Sequence, residues 1–472
     1  MQKINKINKI IIDDYVYMGS NKRQKYKLSL RVKSFLILFI LIIFKYLFRK
    51  YSAKFYDNYL DLTESLKIKY DVKKNIRIAL YTKSLVNGGR ARITAILYNY
   101  LYQINFFTVY LFTENIFKTE YKLEKNSNRI IIKNNLFHKL NENKIDILIY
   151  QLNNVTEINQ LNKFKKLKVI FYHHGSVFGW IYLSLNYFKL LYKAFKNSKY
   201  IVTILPYEND YLFEKWGIKS ILMNNFMSFE YNSIIPSNLS SKTILMIGRG
   251  EDKIKRFNLG IMAMKYIIKE VPNSELKIIS SLKRNSKLKD LVNQLNLNNN
   301  IKFMGFTTKP EIYFKNASLH FFPSLFESFG LVLSETKIYG IPNILLGIDY
   351  ISTAQGGTII IYDDKPESIS KEAIKILKNF NYRKKLGKEA RKSMKKFNNN
   401  KLVIKWIKLI LSVNKGEYYY NTLRKQDKQM KKKDAIKIIE NQIKLLQMRK
   451  IKLKNLTEKQ FENFTFMMTK KN

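Results

Sequence analysis

The 472-residue chain has no cysteine at all. That excludes a disulfide framework, thiolate-bound zinc or iron–sulfur centres and a cysteine nucleophile. Only four histidines are present, which argues against multi-histidine metal catalysis. Acidic residues are few: 36 Asp and Glu stand against 85 Lys and Arg, a formal net charge of +49. No fixed-period repeat runs through the sequence, so solenoids and propellers are excluded as well. What remains is rich in core-forming material. Apolar residues make up 46%, with 31 Phe and 32 Tyr, ample for sizeable cores and incompatible with a wholly disordered chain. The length implies two domains or more.

Much of the excess charge sits at the two ends. Residues 1–75 and 414–472 are both strongly basic, as expected of segments that meet an anionic partner or a negative lipid surface, or of a solvated surface. Within the amino-terminal flank, Ser34–Phe44 is free of charge, and after Lys45 the apolar run ends at Phe48. As a helix these 15 residues would extend about 22 Å, short of the roughly 20 residues that a bilayer core requires. Basic residues follow at once and there is no small-residue cleavage site, so a secretory signal is a poor fit. Residues 34–48 are read as a membrane anchor, spanning or interfacial, with a buried helix as the alternative. The basic segment 1–33 precedes it and a linker, 49–73, follows. The lysines and arginines around it lean towards an amino terminus on the inside.

From Ile76 the pattern changes to short apolar runs alternating with longer amphipathic stretches. The runs 76–82, 107–113, 129–133, 146–150, 168–174 and 200–204 form one series. A second comprises 243–248, 275–280, 301–305, 319–324, 343–347 and 358–363. Continuous rather than alternating hydrophobicity is the mark of parallel strands buried on both faces. Helical stretches between them, such as 91–103 and 258–271, make strand–helix–strand units. The expected fold is α/β: two facing Rossmann-like, doubly wound parallel-sheet domains, 74–235 and 236–396. Ligands in such folds bind beyond the carboxyl ends of the strands, which here means a cleft between the domains.

Four motifs lie at such strand ends. The first, NGGRAR (87–92), puts Gly88 and Gly89 in a turn before a helix, where backbone N–H groups can approach an anion. The second, IGRGEDKIKRFNLGI (247–261), holds Arg249 and Lys255 six residues apart, a guanidinium fork and a point charge able to straddle a pyrophosphate. The third is PSLFESFGLVLSE (323–335). Glu327 lies just ahead of a helix beginning near Leu331, beside unpaired N–H groups, and Glu335 follows over a turn later. Such carboxylates can accept hydrogen bonds from sugar hydroxyls, Glu335 from a ribose diol. The fourth is His173-His174, where a strand-end imidazole can polarise a hydroxyl. Each has a plainer reading as a turn, a solvated basic loop, helix-dipole complements or structural histidines.

In this order the motifs resemble the retaining, nucleotide-sugar-dependent glycosyltransferases of the two-domain GT-B fold, in the large E-x7-E family known as glycosyltransferase family 4 or group 1. The likeness covers about residues 74–412 and is strongest in ESFGLVLSETKIYGIP. It implies that Arg249 and Lys255 hold the donor diphosphate and that Glu327 contacts the donor sugar. Backbone amides of Phe329, Gly330 and Leu331 would meet sugar and phosphate, with Glu335 on the ribose. Gly88 and Gly89 would close over the phosphates, and His174, rather than His173, would lie near the transferred sugar. It further implies a UDP- or GDP-linked sugar as substrate, no cofactor and no bound metal; the sequence has no D-x-D motif. A glycan, glycolipid or other hydroxyl acceptor is expected, and nucleic acid is not.

The chain departs from that family in two places. Where a glycine-rich loop is usual it reads GIDYISTAQGG (347–357), with the glycines late. Arg90 follows the glycine pair where small residues are common. A helix over 397–413 is expected to cross back onto the first domain, and 414–472 reads as a basic helical tail, either a partner or membrane-surface helix or a solvated extension. Membrane association through 34–48 is the expected location. A sugar-nucleotide epimerase on the same fold and a non-catalytic basic scaffold for lipid or nucleic acid are the other readings.

Overall fold

In a computed structural model the described residues are 75–417, apart from 87, 119, 126, 134, 152–154, 162, 165, 177–184, 250–253 and 283–285. The anchor 34–48, its flanks 1–33 and 49–73, and the basic tail beyond Glu417 therefore lie outside them. Among the described residues no helix is long and apolar enough to cross a membrane.

The first domain runs β1 (Ile76–Tyr81), α1 (Gly89–Tyr102), β2 (Phe107–Thr113), β3 (Arg129–Ile131), α2 (Leu136–Glu142), β4 (Ile147–Tyr150), α3 (Val155–Leu161), β5 (Lys168–Tyr172), α4 (Leu185–Asn197), β6 (Tyr200–Thr203), α5 (Pro206–Trp216) and β7 (Ile221–Leu222). The second runs β8 (Thr243–Ile247), α6 (Phe257–Glu270), β9 (Glu275–Ile279), α7 (Lys287–Gln294), β10 (Ile301–Phe303), α8 (Glu311–Phe314), β11 (Leu319–Phe322), α9 (Leu331–Ile338), β12 (Asn343–Leu346), β13 (Thr358–Ile361), α10 (Pro366–Lys378) and α11 (Phe380–Ser393). A last helix, α12 (Asn399–Asn414), follows. All twelve apolar runs form strands. The two-residue β7 is an addition that carries too little pattern to be read in advance.

Both sheets are parallel throughout. Their strand orders are β3-β2-β1-β4-β5-β6-β7 and β10-β9-β8-β11-β12-β13. In each, the direction of winding reverses beside the first strand, between β1 and β4 and between β8 and β11. At such switch points the loops leaving neighbouring strands diverge and open a crevice at the carboxyl edge. The motif-bearing loops leave from these strands: Gly88-Gly89 after β1, Arg249 to Lys255 after β8, and Ser324 to Gly330 after β11. The central strands are apolar on both faces because helices cover both. All four residues of β4, β11 and β12 are buried.

Local signals set the helix ends. Pro206 and Pro366 open α5 and α10, where a missing N–H costs nothing. Gly217 closes α5 in the left-handed conformation at φ 62°. The Asn379 and Asn398 side chains accept from Tyr382 and Lys401 N–H to cap α11 and α12. Helix α12 packs on α1 and β4 of the first domain. Its Trp406 is fully buried with its ring 4.9 Å from that of Tyr172, and Lys168 Nζ donates to Asn414 O at 2.6 Å. Replacing Trp406 by Ala removes the largest fully buried side chain at this junction. A loss of about 3–5 kcal/mol of stability is expected, read as a lower urea midpoint.

Candidate active site

The site assembles where loops from the carboxyl ends of the two sheets touch. Gly88, at φ 118°, turns the chain from β1 into α1 in a conformation open to glycine. Gly89 comes so close to the other domain that a Cβ there would lie 2.9 Å from Leu331 Cδ1. The glycine pair is therefore the point at which the first domain reaches the start of α9. Gly330, left-handed at φ 72°, is the N-cap of that helix. A Cβ on it would meet Ile351 Cδ1 at 3.1 Å.

The two glutamates of E-x7-E sit differently from each other. Glu327 lies in the loop before α9, and its Oε1 accepts from Lys255 Nζ in an ion pair. Its backbone N–H donates to the Tyr350 hydroxyl at 3.2 Å. Glu335, one turn into α9, is completely buried. Its Oε1 accepts from Arg92 of α1, and from Ser228 Oγ at 2.5 Å in the segment joining the domains. Arg92 also donates to Ser228 Oγ at 3.1 Å. Glu335 Oε2 is buried with no hydrogen-bond partner, an acceptor that burial should not leave idle. Glu335, read from the sequence as the ribose-binding carboxylate, is an interior carboxylate bridging the domains, with Oε2 still open as an acceptor.

Lys255 lies with its stem beside Gly248, and its ammonium is 5.5 Å from the Phe322 ring centre. Arg249 is exposed directly after β8. The neighbouring Arg256, left-handed at φ 47°, heads α6 and is committed elsewhere. It donates to Pro323 O and Ser324 O at 2.7 and 3.3 Å and pairs with Asp364 at 2.7 Å. Of the two adjacent cations, Lys255 meets the glutamate while Arg256 fastens the loop that carries it.

Strand β5 ends at Tyr172, so both histidines follow the strand rather than end it. His173 is buried with Nδ1 3.4 Å from Glu208 Oε1 of α5 and its ring edge-on to Phe195. His174 turns the other way, with its ring 3.9 Å from that of Tyr172. Burial, then the nearby Arg90 and His173, hold its pKa well below the usual imidazole range. It is therefore neutral near pH 7, and its Nε2 is buried without a partner. Arg90 donates to Gln151 O at 3.1 Å, beyond β4. Thr94 donates to Gln151 Oε1 at 2.7 Å, leaving Gln151 Nε2 buried and unpartnered.

Arg92, Gln151 and Tyr350 carried no sequence signal of their own. Among 85 basic residues and 32 tyrosines, only three-dimensional placement distinguishes them. Among the described residues, no three His, Asp or Glu side chains converge as metal ligands would.

The two ion pairs differ in burial, and their loss should differ accordingly. Arg92→Ala strands the wholly buried Glu335 carboxylate and should cost about 3–5 kcal/mol. Lys255→Ala, between partly exposed partners, should cost about 1 kcal/mol or less. Chemical denaturation of the two variants measures the contrast.

Residues 228–393 match the family model described as glycosyl transferases group 1. Poly(glycerol-phosphate) alpha-glucosyltransferase of Bacillus subtilis is 28% identical over 159 residues, 33% of this chain and 22% of that enzyme. The chain spans between 22% and 51% of the length of the curated relatives it matches. Among solved structures, sucrose-phosphate synthase from Thermosynechococcus elongatus superposes with a TM-score of 0.61 at 16% identity, over 73% of this chain and all of that one. Anabaena HepE, in complex with UDP and glucose, gives 0.56 at 12% identity, over 72% of this chain and all of that one. The second domain is thus a glycosyl transferases group 1 domain, and the two domains together have the GT-B fold.

Proposed function

We propose that this protein is a retaining glycosyltransferase that moves a hexosyl unit from a nucleotide-sugar to a hydroxyl of a glycan or glycolipid, without a metal ion. The observation that carries this reading is the pair of carboxylates flanking the start of α9, Glu327 on Lys255 and Glu335 on Arg92. The unpartnered Glu335 Oε2 offers an acceptor to a ribose hydroxyl. Sugar transfer by the Bacillus relative and the UDP and glucose bound to HepE support a hexosyl donor. They favour UDP over GDP as its nucleotide. Residues 34–48 would tether the enzyme to a membrane, a reading supported by sequence alone.

In this mechanism the donor diphosphate draws Lys255 from Glu327 and meets Arg249 and the N–H groups at the start of α9. These groups stabilise the charge that develops as the nucleotide leaves. Glu327, released from its cation, accepts from hydroxyls of the transferred sugar. His174, half-buried and with its pKa held low, contributes a hydrogen bond rather than a charge. The acceptor hydroxyl attacks from the face the diphosphate leaves, and the departing phosphate takes its proton. The anomeric configuration is retained and no strong protein base is needed. The two glutamates therefore do not act as the acid and nucleophile of a hydrolase. Closing the loops around Gly89 and Leu331 would exclude water and protect the donor from hydrolysis.

A panel of UDP-, GDP- and ADP-sugars tests the reading on full-length protein. UDP-sugars should raise the melting temperature of the wild type and fail to do so with Arg249→Ala. Turnover should drop by about a hundredfold or more in Glu327→Ala, with the circular dichroism spectrum unchanged. EDTA should leave the rate unaffected, and NMR of the product should show the donor's anomeric configuration. A wild type indifferent to every nucleotide-sugar, with steeply salt-dependent binding to lipid or nucleic acid, would replace this reading by the scaffold.

A further inference from the structure

Lys337 plays no part in the mechanism above, yet it is one of the most committed side chains in the second domain. It lies in α9, two residues after Glu335, and is completely buried. Its Nζ donates to three successive carbonyls, Thr353 O at 2.5 Å, Ala354 O at 3.1 Å and Gln355 O at 2.8 Å. Burial, with the Lys396 ammonium nearby, pushes its pKa down to about 7. Three acceptors at hydrogen-bonding distance require three N–H donors, which only the charged ammonium supplies. Among the described residues, the desolvation cost of that charge is offset by the carbonyls of one loop.

That loop, between β12 and β13, is where the chain departs from the glycine-rich pattern, and three of its side chains face the segment before α9. The Tyr350 hydroxyl accepts from Glu327 N–H. Ile351 packs against Gly330. Thr353 Oγ1 donates to Phe329 O. Tyr350 also places its ring edge-on to that of Tyr207, 5.4 Å away in the first domain. Beyond the three carbonyls, Gly356 and Gly357 pass so close to α11 that a Cβ on Gly357 would lie 2.2 Å from Leu386 O. The loop is thus pinned at its far end by glycine contacts, in its middle by Lys337, and at its near end by the residues before α9.

We propose that Lys337 is a positioning residue which, through the 350–355 loop, holds the backbone of Glu327 to Leu331 in the geometry that receives the nucleotide-sugar. This rests on the donor reading above for its consequence, though not for the coupling itself. A preorganised segment binds donor without first being ordered, so loosening it should weaken donor binding more than it slows chemistry.

The test uses full-length wild type, Lys337→Met and Thr353→Val. Arg383→Met serves as a control, because Arg383 is likewise buried and donates to three carbonyls, of Leu239, Ile376 and Leu377, none of them in this loop. Hydrogen exchange is followed at the amides of 327–331 without ligand, and UDP binding is measured by calorimetry. Exchange there should quicken in Lys337→Met and in Thr353→Val but not in Arg383→Met. UDP should bind about tenfold more weakly to the first two alone, with donor KM raised by a similar factor and kcat altered less. Should Lys337→Met fail to fold, Thr353→Val, which removes one hydroxyl, carries the test. Unchanged exchange at 327–331 in Thr353→Val overturns the proposal, as does an Arg383→Met variant that loosens the segment and weakens UDP equally. Faster exchange in a protein whose wild type binds no nucleotide upholds the coupling and overturns the donor reading instead.

Discussion

A carboxylate with no access to solvent sets the geometry of the cleft. Glu335 is buried where α9 meets the first domain, and a carboxylate in a protein interior is costly unless a cation and hydrogen-bond donors face it. The partners come from outside its own domain: Arg92 from α1 and Ser228 from the connecting segment. The carboxylate thereby fixes how the start of α1 lies against the start of α9. Gly89 has no side chain because Leu331 occupies the space one would fill. Two helices that each follow a switch-point strand are brought end to end, and their first turns, with unpaired N–H groups, face one region.

The surrounding charges follow the same economy. In a chain of net charge +49, an anion-binding loop risks cations that repel one another or are lost to solvent. Three of the cations around it have definite partners. Arg256 is spent on the Pro323 and Ser324 carbonyls and on Asp364, which secures the loop after β11 to the loop after β8. Arg90 is turned onto Gln151 O. Lys255 is held by the partly exposed Glu327 carboxylate. Exchanging Glu327 for a diphosphate would substitute one anion for another at the same ammonium. That exchange costs less than bringing a bare lysine out of water.

The strands were legible because burial on both faces leaves a continuous apolar run, a signal that charge-rich composition does not dilute. The histidine pair was legible as a strand-end feature, although β5 stops before it, and the two rings diverge towards Glu208 and towards Tyr172. The start of α9 at Leu331 was legible from Gly330 and the apolar residues after it. Arg92 and Lys337 were not, for a physical reason. A lysine inside an apolar helix reads as an interruption of its buried face, and only the path of a distant loop supplies the carbonyls that make it tolerable. The burial of Glu335 was equally hidden, since it depends on a helix some 240 residues earlier in the chain.

The late glycines of the 347–357 loop show how a departure from a family pattern can be a relocation rather than a loss. Glycine is needed where backbone meets backbone, and in this chain that contact is with α11: the space beside Gly356 and Gly357 is taken by Glu389 O, Leu386 O and Ala390 N. With the glycines at that end, the part of the loop nearest Glu327 to Gly330 is free to carry side chains. Tyr350, Ile351 and Thr353 use that freedom to bind the segment directly. A loop of glycines would follow whatever the segment before α9 did, whereas a loop anchored by a buried ammonium imposes a shape on it. The shape of the segment before α9 therefore depends on α9 itself, which carries Glu335 towards the first domain and Lys337 towards the loop.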